Sequence, residues 1–307
     1  MLKPRALAPG DRLAIVAPAS PFARDEFDDG IAEIVRLGFV PVYDETVFAR
    51  KRYVAGEAEV RAEAIHQAWR NPDIAGVIGV RGGYGSAQLL PLLDADLARR
   101  SAKPFVGYSD LTSLLTFLNV TCGLVAFHGP MLAGRLGRGA DGYDRATFVN
   151  ALTRREPMGE LTAAGLETIR TGEASGTLMG GTMTQLLASL GTPFAFDPPA
   201  GCVLFLEEVG ERPYRLDRMV TQLAQSGLLA KASAVVIGEL PKCDEPSGEP
   251  TARAVMADLF AAFPGPVLIG FPSGHTAGAA MTLPFGVACR VVGGASPRLI
   301  ITESAVS

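Results

Sequence analysis

The sequence predicts an α/β protein: an N-terminal, mostly parallel sheet with flanking helices, then a smaller, mixed, strand-rich C-terminal domain. Three observations carry this. Residues 1–130 alternate short apolar runs with amphipathic stretches, the rhythm of a parallel sheet covered on both faces. From about Arg135 to Thr168 the rhythm fades into glycines and a charged Arg154-Arg155-Glu156 cluster, which reads as an interdomain connection. Beyond it the alternation resumes and ends on a series of strands. The expected organisation is therefore residues 1–134 as one domain, 135–168 as the connection and 169–307 as the second.

In chain order, Leu13–Ala17 is an apolar strand stopped by Pro18. Phe27, Ile31, Ile34 and Leu37 recur at helical spacing over Asp25–Leu37, and Gly38 ends that helix. Phe39–Tyr43 is a second strand. Glu57–Trp69 is a helix with Val60, Ala64 and Ala68 on one face and His66 on its surface. Gly76–Val80 is a third strand, Ser86–Leu97 a helix, Pro104–Tyr108 a fourth strand, Leu111–Leu118 a helix and Leu124–Phe127 a fifth strand. The second half resumes with Gly176–Gly181, and Cys202–Leu206, Ala234–Ile237, Val267–Gly270, Val287–Val292 and Leu299–Thr302 read as strands. Met183–Leu190, Tyr214–Gln225 and Ala252–Phe260 read as helices.

Composition narrows the function. With 48% hydrophobic and 20% charged residues among 307, the chain buries a real core. A net charge of −4 without a basic cluster argues against nucleic acid. No apolar run reaches the roughly 18–20 residues that cross a bilayer. The N-terminal Met-Leu-Lys-Pro-Arg segment lacks the apolar stretch of a secretory signal. Cys122, Cys202, Cys243 and Cys289 are widely spaced, without a C-x-x-C pair, so neither a disulfide framework nor a zinc site is expected. A reduced, cytoplasmic location fits best.

Candidate chemistry gathers where strands end. Only three histidines exist, His66, His128 and His275, and the last two each come after an apolar strand. In a parallel sheet the carboxyl ends of the strands carry the site. Gly107-Tyr108-Ser109-Asp110 turns sharply from strand to helix. A serine there presents its hydroxyl, and the Asp110 N–H points near the reacting carbon. The same serine also suits a plain helix N-cap. Leu111 stands where the G-x-S-x-G signature of α/β-hydrolases requires its last glycine, which disfavours that fold. Arg81-Gly82-Gly83-Tyr84-Gly85 comes after the third strand and lets backbone approach a ligand closely. It fits an oxyanion-hole donor, a phosphate cradle or a tight turn. Val203–Leu206 runs directly into Glu207 and Glu208, either of which suits the orientation of an imidazole.

These segments together resemble the LD-carboxypeptidases, a family of serine peptidases that also includes microcin-immunity proteins. The resemblance spans nearly the whole chain: Pro9-Gly10-Asp11, Val16–Ser20, Arg81–Gly85, Gly107–Asp110, His128-Gly129-Pro130, Gly180-Gly181, Leu206-Glu207-Glu208 and Gly274-His275. It implies Ser109 as nucleophile, His275 as general base and Glu207 as the residue that orients it. It also implies an oxyanion hole from the N–H groups of Asp110 and Gly83. Thr182 stands where the family commonly has asparagine, and Glu208 where it often has aspartate. Substrate contacts are expected at Arg81, Tyr84 and Thr182, with Arg135 and Arg212 as further cations for a terminal carboxylate.

The implied reaction needs no cofactor and no metal. It removes the terminal D-alanine of a murein tetrapeptide in peptidoglycan recycling, carried out by a cytoplasmic homodimer. Two alternatives stand beside it: a microcin-immunity-type peptidase cleaving a peptidyl or aminoacyl nucleotide, and a non-catalytic protein binding a ligand in the same cleft. A nucleotide-dependent enzyme using the glycine turn is a further option.

Overall fold

The computed structural model describes residues Met1–Ser307. The first half contains β1 (Arg12–Val16), α1 (Arg24–Arg36), β2 (Val40–Val42), α2 (Ala58–Arg70), β3 (Ile74–Gly79), α3 (Ala95–Ser101), β4 (Phe105–Gly107), α4 (Thr112–Thr116) and β5 (Ala126–His128). Then come α5 (Arg145–Thr153), β6 (Gly159–Leu161), β7 (Glu167–Arg170), β8 (Gly172–Thr182), α6 (Met183–Ala188) and β9 (Cys202–Glu207). The chain ends with α7 (Pro213–Gln225), β10 (Ala232–Gly238), α8 (Ala252–Phe260), β11 (Val267–Phe271), β12 (Leu283–Phe285), β13 (Ala288–Gly293) and β14 (Arg298–Ile301).

Two sheets result. The first has six strands in the order β12-β5-β4-β3-β1-β2, all parallel except the antiparallel pair β12 and β5. The second has eight, β6-β14-β13-β8-β9-β10-β11-β7, with a parallel centre from β8 to β11 and antiparallel flanks. The central strands are covered along their length: every residue of β4 and β9 is buried. That explains their unbroken apolar sequence, since a strand covered on both faces has no solvent side to mark with polar residues.

Several elements differ from expectation for identifiable reasons. The stretch Ser86–Leu97 is two pieces, a 3₁₀ segment Ser86–Leu92 containing Pro91, then α3. Proline interrupts the hydrogen-bond ladder, and the Asp94 carboxylate restarts a helix by accepting the Leu97 N–H at 2.9 Å. The face of α2 turned inward includes Ala62, Ile65, Trp69 and the expected Ala68, whereas Val60 is 40% exposed. His66 is buried on that helix, not on its surface, and its Nε2 accepts the Asp94 N–H at 3.1 Å. The helix expected from Leu111 begins at Ser109 as a 3₁₀ turn and ends as a π segment, Phe117–Thr121.

The expected connection 135–168 is structured as well. It holds a 3₁₀ turn Leu136–Asp141, then α5, capped by Asp144 onto the Thr147 N–H at 2.7 Å, then β6 and β7. Glycines before α5 and the charged cluster after it obscure this short helix, which buries Phe148, Ala151 and Leu152. β12 comes from the second half of the sequence yet pairs with β5 in the first sheet, with Leu283 opposite His128. Three residues with a central proline are too short for periodicity to find.

Candidate active site

The carboxyl ends of β3, β4, β5, β8, β9 and β11 converge, and each brings one chemically active segment. β4 ends at Gly107 and the chain turns into helix through Ser109, whose φ is +61°. That left-handed conformation is unusual for a serine and marks a strained strand-to-helix elbow. The Ser109 side chain lies against the glycine turn after β3. A Cβ on Gly82 would stand 2.9 Å from the Ser109 Cβ and 3.1 Å from its Oγ. Glycine is therefore required there by close approach.

The turn is held from several sides. The Ser20 hydroxyl accepts the Tyr84 N–H at 3.1 Å and donates to the Tyr53 carbonyl at 3.0 Å. The Asp110 carboxylate accepts the Ser86 N–H at 2.8 Å, and the Ser86 hydroxyl donates to the Asp110 carbonyl at 2.6 Å. Buried Arg61 donates to the carbonyls of Pro18 at 2.6 Å and Gly85 at 2.9 Å. Thus Asp110 ties the serine elbow directly to the glycine turn, which sequence reasoning missed; only the adjacency of Asp110 to Ser109 hinted at it.

Glu207 is the last residue of β9, and its register partner on β8 is Thr182. It is fully buried. Its Oε2 accepts the His275 Nδ1–H at 2.8 Å and the His275 backbone N–H at 3.0 Å, while Oε1 accepts the Thr182 hydroxyl. Burial alone would raise the Glu207 pKa, but the hydrogen bond and charge of His275 outweigh it and hold the carboxyl below its ordinary value. Glu208 points elsewhere, accepting the N–H and hydroxyl of Thr184 at 2.9 and 2.8 Å. Between the two adjacent carboxylates, Glu207 is the one that meets the imidazole.

His275 comes after β11 and keeps a side-chain exposure of 20%. Its ring packs edge-on to Tyr108, with centroids 5.1 Å apart, beside Ser109. With Nδ1 engaged by Glu207, Nε2 is the nitrogen left for proton transfer. The last link is open: no hydrogen bond joins Nε2 to the Ser109 hydroxyl. Catalytic hydrogen bonds of this kind commonly tighten only once substrate is bound.

His128 also lies here, fully buried against Phe205 and Phe285. The Ser273 hydroxyl donates to the Met281 carbonyl at 2.8 Å, so its oxygen accepts the His128 Nδ1–H at 3.0 Å. Burial lowers the His128 pKa to about 4, so the ring is neutral. A Cβ on Gly274 would stand 2.7 Å from the His128 Cε1 and 2.9 Å from the Glu207 Cδ, so only glycine fits between them.

The remaining expected contacts separate. Arg81 is half-exposed at the mouth of the turn, 3.7 Å from Glu26. Tyr84 is exposed, its ring edge-on to Tyr53. Thr182 is buried, with its hydroxyl directed at Glu207 and its N–H donating to the Thr112 Oγ at 3.2 Å. Arg212 pairs with Glu245. Arg135 is buried, with its guanidinium on backbone carbonyls.

The sequence model described as the LD-carboxypeptidase N-terminal domain matches residues 13–129, and that of the LD-carboxypeptidase C-terminal domain matches residues 175–291. The chain belongs to the LD-carboxypeptidase family. It is thus a hydrolase of a serine peptidase family. The murein tetrapeptide carboxypeptidase of Pseudomonas aeruginosa is 34% identical over 278 residues, 87% of this chain and 88% of that protein. The solved muramoyltetrapeptide carboxypeptidase of Oxalobacter formigenes superposes with a TM-score of 0.85 at 30% identity, covering 96% of this chain and 100% of that one. The microcin C7 self-immunity protein MccF in its wild-type apo state superposes with a TM-score of 0.91 at 25% identity, covering 100% of both chains.

Proposed function

We propose that the protein is a serine LD-carboxypeptidase that removes the terminal D-alanine of a murein-derived tetrapeptide, with Ser109, His275 and Glu207 as its triad. The observation that carries the reading is the Glu207–His275 pair at 2.8 Å, set beside a serine on a left-handed elbow. His275 Nε2 takes the Ser109 proton as the hydroxyl oxygen attacks the amide carbonyl. Glu207 holds the imidazole through Nδ1 and balances the imidazolium that forms. The tetrahedral oxyanion meets the N–H groups of Asp110 and Gly83, which the bonds between Asp110 and Ser86 keep in register. His275 then passes its proton to the departing D-alanine nitrogen, and water releases the acyl group by the same steps.

Arg81 receives the terminal carboxylate in this reading. Of the cations considered, Arg135 and Arg212 are engaged elsewhere. Arg81 lies near enough to Tyr108, the neighbour of Ser109, for its charge to act on that phenol. Tyr84 borders the same mouth. The Thr182 hydroxyl donates to Glu207, which supports a role for it in steadying that carboxylate.

The murein substrate is favoured by the higher identity to the tetrapeptide carboxypeptidases. The TM-score of 0.91 to MccF keeps a microcin-type peptidyl nucleotide as the second reading. A cytoplasmic homodimer acting in peptidoglycan recycling completes the proposal, on the family resemblance; no helix is long and apolar enough to cross a membrane. Mass spectrometry of an LD-linked tetrapeptide incubated with wild type and Ser109→Ala tests it. Release of D-alanine by the wild type and none by the folded variant is expected. Undiminished release by the variant would refute the triad, and turnover of an aminoacyl nucleotide alone would replace the substrate.

A further inference from the structure

Arg135 is 8% exposed, and no carboxylate pairs with it. Its guanidinium instead donates to four main-chain carbonyls: Gly142 at 3.2 Å, Gly274 at 3.1 Å, Thr276 at 2.7 Å and Gly278 at 2.7 Å. Gly274 and Thr276 are the residues on either side of His275. Burying a guanidinium without a counter-ion is expensive unless its donors are well satisfied. A planar fork of five N–H groups is one of the few side chains able to hold several diverging carbonyls at once.

The segment it grips is closed at its base, where the Met281 N–H donates to the Pro272 carbonyl at 2.7 Å and the Ser273 hydroxyl bridges His128 and the Met281 carbonyl. Residues 272–279 form no helix or strand. At the tip of the loop, between Gly274 and Gly278, the bonds beside those of Arg135 are the Glu207 bonds to His275 and the Glu239 carboxylate, which accepts the Ala277 N–H at 2.8 Å. Arg135 itself is set rigidly against the nucleophile side. Two residues upstream, the Ala133 N–H donates to the Val80 carbonyl at 2.9 Å, and the Leu132 N–H donates to the Gly79 carbonyl at 3.1 Å. Those acceptors are the end of β3, just before the glycine turn that touches Ser109.

We propose that Arg135 is the positioning residue that sets His275 over Ser109, by clamping the two peptides flanking the histidine to the end of β3. The inference rests on the triad reading above. It assigns Arg135 no contact with substrate, in contrast to a role as the cation for the terminal carboxylate. Tyr108 supports the placement: it lies between the two residues, with its ring against His275 and its phenol within the influence of the Arg135 charge. A misplacement of about 1 Å at a reacting group costs on the order of 100-fold in rate, which is the scale of effect a broken clamp produces.

The test compares wild type, Arg135→Lys and Arg135→Gln on an LD-linked tetrapeptide, with proton NMR of the His275 Nδ1–H resonance as a second reading. Lysine keeps the charge but its single nitrogen cannot span four carbonyls; glutamine keeps one amide donor and loses the charge. The expected result is a roughly 100-fold loss of kcat with KM within twofold in both variants, and a shifted or exchange-broadened Nδ1–H signal. A raised KM with kcat retained would overturn the proposal in favour of carboxylate binding. An unchanged kcat and unchanged resonance would overturn it outright. Should Arg135→Lys not fold, Arg135→Gln carries both readings; loss of fold in both while the wild-type resonance is absent would also defeat the clamp. Ser109→Ala in the same assay separates the two ideas. Activity there removes the triad reading, whereas the resonance still reports whether Arg135 orders His275.

Discussion

A single oxygen of Glu207, Oε2, accepts both the backbone N–H of His275 at 3.0 Å and its ring Nδ1–H at 2.8 Å. The carboxylate therefore fixes the histidine twice, in position through the peptide and in tautomer through the ring. Glu207→Gln keeps the shape but offers an N–H where an acceptor is needed or rotates away. The expected outcome is a loss of kcat of roughly 10³–10⁴-fold, the scale seen when a triad acid becomes an amide. Steady-state kinetics on the tetrapeptide, with circular dichroism to confirm folding, measures it.

Thr182→Val removes the hydroxyl that donates to the other oxygen of Glu207 and leaves that oxygen buried and unpaired. A destabilisation of about 1–3 kcal/mol is expected in urea unfolding. The Glu207 carboxylate also loses one of the bonds that lower its pKa, so its own titration moves to higher pH. A Glu207 carboxyl titration, followed by carbon NMR, that stays in place in the variant would contradict this role.

Gly82→Ala places a methyl 2.9 Å from the Ser109 Cβ and 3.1 Å from its Oγ. The neighbours are the elbow itself and cannot retreat without displacing the nucleophile. A loss of kcat of at least about 100-fold is expected, from misplacement of the hydroxyl. Labelling of Ser109 by a fluorophosphonate should slow in parallel, while the melting temperature changes little.

His128 links stability to pH. Its folded pKa is lowered by burial to about 4 from an ordinary 6.5. Below pH 6.5 the unfolded chain takes up a proton that the folded chain refuses until about pH 4, so stability falls as pH drops through that window and levels off beneath it. The contribution lost is about 3 kcal/mol. His128→Phe should flatten this slope in denaturation series at several pH values. The contribution of Glu207 has the same sign: its lowered pKa stabilises the fold above the ordinary carboxyl value, and that stability is lost as pH falls through the folded pKa.

Much of the site was legible because its segments sit just past apolar strands. β4, β9 and β11 each announce where they stop, and Ser109, Glu207 and His275 stand at or shortly beyond those stops. Spacing alone left Glu207 and Glu208 equivalent; the Thr184 hydroxyl and N–H, which draw Glu208 aside, decide between them only in three dimensions. Arg135 was legible as a cation but not as a clamp, because its partners are carbonyls, which carry no residue signature. His66 was misread for a related reason: a polar side chain at a helix position looks solvent-facing until the backbone that buries it is seen. α5 was missed because it is a short helix set between a glycine-rich stretch and a charged cluster, and β12 because a proline stands at the centre of a three-residue strand.

The strand Leu283–Phe285 has a temporal consequence. During synthesis the first sheet lacks its terminal strand until Leu283–Phe285 has been made, long after β5. Until then β5, with His128 at its end, has an open edge, and the loop bearing His275 has only just emerged. A nascent chain adding about 5–20 residues per second thus makes the serine elbow some seconds before the strand that closes its sheet, and a chain cut short of β11 lacks the Glu207–His275 pair.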